Sequence, residues 1–389
     1  MRIVHIITRM IVGGAQENTR YNCLDLSRLY GDDVTLITGP SLGAEGSLLE
    51  KFSDPDLKLV LVPELIRSIR PWTDFAAYRK LRTLLKQLRP DVVHTHSAKA
   101  GVLGRAAAWS LNIPCVVHTV HGAPFHPFQS WIARSTFQKC ERWAAKRCHK
   151  LISVADAMTD LMVQANVAPR EKFVTIYSGM DVEPFLQADQ MRIQTRQELG
   201  LQPSDIVVGK IARLFNLKGH EYLLQAAPAI VAENPNIKFL LVGDGSLRSS
   251  IERTIAANGL ERNFLFTGLV PPTEIPKWIS AMDMLVHVSL REGLARALPQ
   301  ALLAGKPVIS YDIDGAKEVV LHEKTGLLLP PKSVEELQSA VLRLALDPSL
   351  RQELGRFGQS RCSKMFDHGN MTREIRELYQ RLLEHTGTK

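Results

Sequence analysis

Cysteine is scarce in this chain and follows no pattern. Cys23, Cys115, Cys140, Cys148 and Cys362 are odd in number, widely scattered and form no CxxC pair, which argues against a disulfide framework and against a structural zinc module. Long apolar runs are missing too, since none approaches the ~20 residues that a membrane-crossing helix needs. Met1 to Thr8 is short and apolar without a basic leader or cleavage site, and reads as a first strand rather than a targeting segment. Low-complexity segments and short-period repeats are absent. No RNP, zinc-finger or homeodomain pattern occurs, so nucleic acid is not an expected partner. These absences leave a globular chain expected in the reducing cytoplasm.

Apolar residues are plentiful. At 45% of 389 positions they can fill two sizeable cores, and two domains are expected. The formal net charge of +8 is unevenly placed: of 48 Lys and Arg and 40 Asp and Glu, the stretch Met1 to Met180 holds 23 and 15, leaving 25 and 25 for the remainder. The first half is expected to face something anionic, with a merely solubilising basic surface as the alternative. Two stretches concentrate the charge. Arg67 to Arg89 is one. In the other, Phe125 to Lys150, the residues Phe125, Phe128, Trp131, Ile132, Phe137 and Trp143 interleave with Arg134, Lys139, Arg142, Lys146, Arg147 and Lys150. That composition suits a helix lying on anionic lipid, peripheral on the inner face of a membrane, and equally a basic-rimmed core helix.

Short β-branched runs alternate with segments of helical period, the pattern of parallel strands joined by crossover helices, so the class is α/β. Strands are expected at Arg2–Ile7, Asp33–Ile37, Leu57–Leu61, Val92–Thr95, Cys115–Thr119, Lys150–Val154 and Phe173–Ile176. The cycle restarts with Ile206–Ile211, Lys238–Val242, Asn263–Phe266, Met284–Val288 and Pro307–Ser310. Two doubly wound sheets follow, with a hinge between Ser178 and Ser204, where Gly179, Pro184 and Pro203 interrupt the pattern. The expected domains are residues 1–185, with a C-terminal helix of about 368–389 packed back on them, and residues 186–367. Ligands of such sheets bind at the C-terminal ends of the strands.

Several strand ends carry chemistry. Gly13-Gly14-Ala15-Gln16 follows the first strand and lets backbone amides approach a phosphate or sugar, although a plain strand-to-helix turn explains it as well. Arg213 ends a strand and Lys218 opens the next helix, so two cations flank one strand-to-helix loop. A guanidinium and an ammonium there can stabilise a departing diphosphate without a metal. Val242-Gly243-Asp244-Gly245 and the loop Phe266-Thr267-Gly268-Leu269-Val270 offer backbone to a nucleotide, with simple turns as rivals. The most informative stretch runs from Ser289 through Glu292, Leu294, Ala295 and Gln300 to Ile309.

These motifs together resemble the family 4 retaining glycosyltransferases of GT-B fold, two Rossmann-like domains facing across a cleft, and the similarity covers essentially the whole chain. The family's usual form is a Glu, seven residues, then a second Glu on a helix leading to an Ala-x-Gly-x-Pro-Val-Ile strand. The resemblance implies that Glu292 hydrogen-bonds hydroxyls of a donor sugar, that amides near Leu294 and Ala295 hold its diphosphate, and that Arg213 and Lys218 are the phosphate-binding pair. Asp91 to Gly101 and Thr119-Val120-His121-Gly122 look like the family's two His-bearing strand-end loops, so His121 is implied to touch the donor sugar, with Gly13 and Gly14 bordering the diphosphate. Gln300 departs from the pattern: it stands where the second Glu accepts hydrogen bonds from the ribose, and an amide loses the charge and the bidentate geometry.

The implied activity is metal-independent, retaining transfer of a hexosyl or N-acetylhexosaminyl group from a nucleotide-diphosphate sugar, UDP favoured over GDP, to a glycan or lipid-linked acceptor. No cofactor and no metal are expected. His94, His96, His118, His121 and His126 stand in as a less favoured metal site, because alternate strand residues share a face. A sugar-nucleotide epimerase of the same fold, or a donor-binding protein that has lost transfer through Gln300, are the alternatives.

Overall fold

The computed structural model describes residues 1–41, 47, 48, 54, 56–127 and 129–387, so Phe128 of the basic aromatic stretch lies outside the described residues. Contacts divide the chain into one unit of Met1–Met180 with Asp367–Lys389 and a second of Asp181–Phe366. Each is a parallel sheet wrapped by helices, and together they hold thirteen described strands.

The first unit contains β1 (Arg2–Arg9), β2 (Asp33–Gly39), β3 (Lys58–Leu61), β4 (Val92–His96), β5 (Cys115–Val120), β6 (Lys150–Ser153) and β7 (Phe173–Thr175) in the order β3-β2-β1-β4-β5-β6-β7. Burial on both faces explains why β1, β2, β4 and β5 read as mainly apolar runs rather than alternations. Ile3, Ile7, Val34 and Leu36 meet Met371, Ile375, Leu378 and Tyr379 of the last helix, His368–Gly387, in one core. Each such aliphatic side chain contributes about 1.5–3 kcal/mol when fully buried. Charge fixes the register of that helix: Asp32 takes the Met1 ammonium at 2.8 Å and Arg376 at 2.9 Å. Where the chain leaves and re-enters the unit, Met180 bridges Asp367, and a Cβ on Gly179 would meet the His368 Cα at 2.5 Å. Only glycine allows that approach.

The second unit contains β8 (Ile206–Ile211), β9 (Ile237–Val242), β10 (Phe264–Gly268), β11 (Met284–His287), β12 (Val308–Tyr311) and β13 (Gly326–Leu329), ordered β10-β9-β8-β11-β12-β13. Its core joins Val208, Phe239, Val286 and Ile309 to Leu223, Ala227 and Ile230 of the helix His220–Glu233 and to Val341 and Leu344 of the helix Val334–Leu346. Asp283 anchors the helix Arg192–Glu198 by accepting from Arg192 at 2.6 Å and from the Val207 amide at 2.7 Å. The strand β13 is absent from the sequence-based expectation. Its Gly-Leu-Leu-Leu carries no β-branched residue and is cut short by Pro330, so the strand propensity that marks the others is missing.

Candidate functional site

In the second sheet the strands adjacent at the centre, β8 and β11, are where the winding direction reverses, and the crevice beyond their C-terminal ends is where such sheets bind ligands. Two loops meet there. The Leu290 amide donates to the Leu217 carbonyl at 2.8 Å, and Gly219, with φ of 69°, approaches so closely that a Cβ would lie 1.7 Å from the Val288 carbonyl oxygen. The join brings Lys218 and Glu292 together, with Nζ 2.6 Å from Oε1. His287, the last residue of β11, donates to the same oxygen at 3.2 Å, and the Glu292 amide donates to Asp314 at 2.7 Å.

Electrostatics explains why this carboxylate stays charged. Burial pushes its pKa up, but the hydrogen bond from His287 and the nearby Lys218 ammonium outweigh burial and hold it well below the usual range. Burial likewise lowers His287 despite that carboxylate, and raises Asp314. Beneath them lies Lys210, on β8 and 1% exposed, whose Nζ has no hydrogen-bond partner. Burial, reinforced by Lys218 and opposed by Glu292 and Glu221, brings its ammonium down to about 7. Arg213, two residues past β8, carries its guanidinium 5.1 Å from the Phe215 ring centre, while its carbonyl accepts from His220 at 3.0 Å.

Gly243 tightens the same edge. Its φ of 134° and a would-be Cβ only 2.3 Å from the Ala212 oxygen press the loop after β9 onto the loop that holds Arg213, and its amide donates to Gly268 at 3.0 Å. Leu269 follows and is 60% exposed. Leu294 is half-buried and Ala295 buried in the turn before the short helix Ala297–Leu303, in which Gln300, half-buried, is the fourth residue. The structure thus joins Lys218 to Glu292 and Gly243 to the Arg213 loop, while Leu269, Leu294, Ala295 and Gln300 sit on neighbouring segments.

In the first unit the reversal lies between β1 and β4. Gly13 caps the helix Gly14–Tyr30 in an extended conformation that any residue adopts, and a Cβ there would crowd Gln16 Oε1 at 2.9 Å. Thr8 and Ser97 share a 2.7 Å hydrogen bond at the two strand ends. Beside them opens a cavity of about 610 Å³ whose lining includes Arg9, Arg67, Ile69, Lys99 and Phe137. His121 follows β5, its Nε2 3.1 Å from His96 Nδ1. His5, His94 and His96 offer ligand nitrogens within 4.8 Å of one another, a grouping that includes His5 and lacks His118 and His126. His94 already uses both nitrogens, on Tyr379 at 2.5 Å and Thr119 at 2.7 Å.

The basic aromatic helix Trp131–Ala145 turns Trp131 and Ile132 outward, 80% and 71% exposed. These two residues are therefore not part of the core. No helix among the described residues is long and apolar enough to cross a membrane.

Four groups of these sites went unassigned by sequence reasoning: His287, Lys210, Asp314 and His5. The first two and His5 lie inside strands, where a single polar residue among apolar neighbours is the only signal available.

A model described as Glycosyltransferase Family 4 matches residues 12–184, and one described as Glycosyl transferases group 1 matches residues 191–361. The chain is 29% identical over 355 residues, 90% of it and 89% of the relative, to the UDP-Gal:alpha-D-GlcNAc-diphosphoundecaprenol alpha-1,3-galactosyltransferase of Escherichia coli. It is 28% identical to the 2-deoxystreptamine glucosyltransferase of Streptomyces kanamyceticus, covering 70% of this chain and 73% of that one. Among solved structures, HepE of Anabaena in complex with UDP superposes with a TM-score of 0.82 at 23% identity, over 98% of this chain and 100% of that one. Sucrose-phosphate synthase of Thermosynechococcus elongatus does so at 0.82 and 20%, over 99% and 100%. At those identities the likeness shows the fold, which is GT-B with two Rossmann-like domains.

Proposed function

The chain belongs to family 4 of the glycosyltransferases, and from that premise we propose that it moves a hexosyl or N-acetylhexosaminyl group, with retention, from a nucleotide-diphosphate sugar to an acceptor hydroxyl in cell-surface polysaccharide or glycolipid synthesis. The observation that carries the reading is the Lys218–Glu292–His287 cluster at the switch point of the second sheet. One ammonium hydrogen is committed to Glu292 and the others remain for a diphosphate, while the carboxylate is held ionised to accept from sugar hydroxyls.

In this scheme the bond from the anomeric carbon to the phosphate oxygen breaks, the acceptor oxygen bonds to the same face, and the leaving phosphate oxygen takes the acceptor proton. Arg213 and Lys218 stabilise the developing negative charge, so metal is not required. Within the second unit Glu292 orients the sugar, the amides of Leu294 and Ala295 border the diphosphate, Gly243 and Leu269 the nucleoside, and Gln300 the ribose. A UDP-sugar is favoured because the Escherichia coli relative uses UDP-Gal and the Anabaena neighbour was solved with UDP.

That relative's acceptor is a diphosphoundecaprenol-linked sugar, and the first unit of this chain has features suited to such a molecule. Cations Arg9, Arg67 and Lys99 and apolar Ile69 and Phe137 line one cavity. Exposed Ile69, Trp72, Phe75, Trp131 and Ile132 accompany the basic excess, a combination that binds anionic lipid surfaces. Retention of the protein by anionic but not neutral liposomes on flotation supports the membrane contact, and no retention by either removes it.

Thermal-shift titration with UDP-, GDP- and ADP-sugars tests the donor, since a ligand of the folded state alone raises its midpoint. A UDP-sugar should give the largest rise. Absence of any shift refutes the donor site, and release of an altered sugar without an acceptor product identifies an epimerase instead.

A further inference from the structure

A groove of about 530 Å³ opens in the second unit between the helix His220–Glu233 and the helix Arg248–Ala257. None of Arg213, Lys218, His287 and Glu292 lines it, so it is separate from the cluster assigned to the donor. Successive turns of the first helix present His220, Leu224 and Pro228 to it, and the second helix, with the residue that follows it, presents Ser250, Thr254 and Asn258. Neighbouring helices usually close on each other through apolar ridges. Here much of the facing surface is polar and the space between is open.

Two polar groups in the wall lack partners. His220 is 3% exposed. Its Nε2 donates to the Arg213 carbonyl at 3.0 Å, and its Nδ1 makes no hydrogen bond. Buried polar atoms are nearly always bonded, so this one marks a place for a ligand atom. Pro228 lies inside its helix and has no N–H, which deprives the Leu224 carbonyl of its helical donor. A helix-interior proline and an unpaired buried ring nitrogen both cost folding free energy, and both fall in one groove.

Charge narrows the ligand. No Lys or Arg is among the described lining residues, whereas Glu221 is. Arg248, which begins the second helix, is committed to Glu252 at 2.5 Å and to the Phe266 ring, 3.7 Å from its centre. An anion such as a nucleotide is therefore disfavoured. Exposed Glu221, Gln225, Ser250 and Asn258 supply carboxylate, amide and hydroxyl groups that pair with sugar hydroxyls, and Leu224 and Ile251 offer aliphatic surface to sugar C–H bonds.

We propose that this groove is a second saccharide site, which binds an uncharged sugar residue of a glycan apart from the donor and whose occupancy adjusts the loop that holds Arg213 and Lys218. Both walls are tied to that loop. His220 grips it through the Arg213 carbonyl, and the second helix is joined to it by the Leu247 amide, which donates to the Leu214 carbonyl at 2.9 Å. A sugar that spans the two helices favours one setting of the loop over another, which is the requirement for coupling. The coupling, unlike the groove, rests on the assignment of Arg213 and Lys218 to the donor diphosphate.

The test uses glucose, galactose and N-acetylglucosamine as probes of the UDP-saturated protein. In ¹H–¹⁵N correlation at least one of them should shift the side-chain amide signals of Gln225 and Asn258, assigned through Gln225→Ala and Asn258→Ala, with half-saturation at roughly millimolar concentration. Glucose 6-phosphate should bind several-fold more weakly than glucose. Ser250→Trp, at an exposed position outside the donor cluster, should fill the groove and abolish the shifts while leaving the UDP dissociation constant without sugar unchanged. A saturating sugar should change that constant roughly fivefold in wild type and not in Ser250→Trp. The site is overturned by the absence of a saturable shift with all three sugars up to about 50 mM, by shifts that survive Ser250→Trp, or by glucose 6-phosphate binding as tightly as glucose. An equal UDP constant with and without sugar overturns the coupling. If UDP itself does not bind, the donor assignment fails, and the same titration of the UDP-free protein still decides the groove.

Discussion

Replacing Lys218 by Met should damage folding and transfer separately, and a second substitution should repair only the first. In the native site Nζ lies 2.6 Å from Glu292 Oε1, with the side chains 23% and 18% exposed. Removing the ammonium leaves the carboxylate with His287 as its partner at 3.2 Å, in surroundings where burial disfavours its charge. Breaking a fully buried pair costs about 3–5 kcal/mol. Exposure of both groups to solvent reduces this to roughly 2 kcal/mol. Loss of a fixed cation from the departing diphosphate should cost a further ~10²–10³ in kcat/KM. In Lys218→Met/Glu292→Gln the orphaned charge is gone, so stability should return to within about 1 kcal/mol of wild type while transfer stays lost. Urea unfolding midpoints and initial transfer rates from a UDP-sugar read the two effects independently. A double variant no more stable than Lys218→Met, or one that regains transfer, refutes the reasoning.

Gln300→Glu restores a bidentate acceptor for ribose hydroxyls and should tighten UDP binding by roughly 1 kcal/mol; calorimetric titration showing unchanged or weaker binding means the site has been rebuilt around the amide. Lys210→Met should stabilise the protein in a pH-dependent way. Burial sets the folded ammonium at about 7 against an ordinary 10.5, so the unfolded chain binds more protons between those values and wild-type stability rises with pH across that window. The variant should therefore be a few kcal/mol more stable than wild type below pH 7, by about 1.4 kcal/mol for each pH unit of the shift, with the gain fading toward pH 10. Equal gains in urea midpoints at pH 6 and pH 9.5 would contradict the burial of an unpaired ammonium.

Much of this architecture is legible in the amino-acid order, for a physical reason. Strands such as Ile206–Ile211 and Cys115–Val120 are covered on both faces, so β-branched residues run together and stand out from the helices between them. Gly326–Leu329 escapes because leucine and glycine signal no strand and only pairing with β12 holds it extended. Lys218 is legible for a different reason, as a charge on a strand-to-helix loop that points into the crevice, and Glu292 is legible through the family resemblance of its motif. Their mutual ion pair is not, because it joins residues 74 apart through the meeting of two loops, Leu290 bonding Leu217, that the sheet order dictates. Exposure of Trp131 and Ile132 is equally hidden, since aromatic spacing alone does not say which face of a helix is covered.

Three residues that escape sequence reasoning, Lys210, His287 and His5, share one property with His96. Lys210, His287, His5 and His96 are polar groups inside strands whose neighbours are buried, and each conflicts with the rule that a parallel strand at the centre of a sheet is apolar. Burying such groups costs folding free energy, most of all for Lys210 Nζ and His5 Nε2, which make no hydrogen bond. Local conflicts of this kind are expected where function is built. In both units they lie on the two strands that flank the reversal of winding, β8 and β11 in one, β1 and β4 in the other. A polar residue within an otherwise β-branched run, on a strand next to the switch point, is therefore the sequence signal that points to the layer supporting the strand-end chemistry: Lys210 and His287 beneath Glu292, His5 and His96 behind His121.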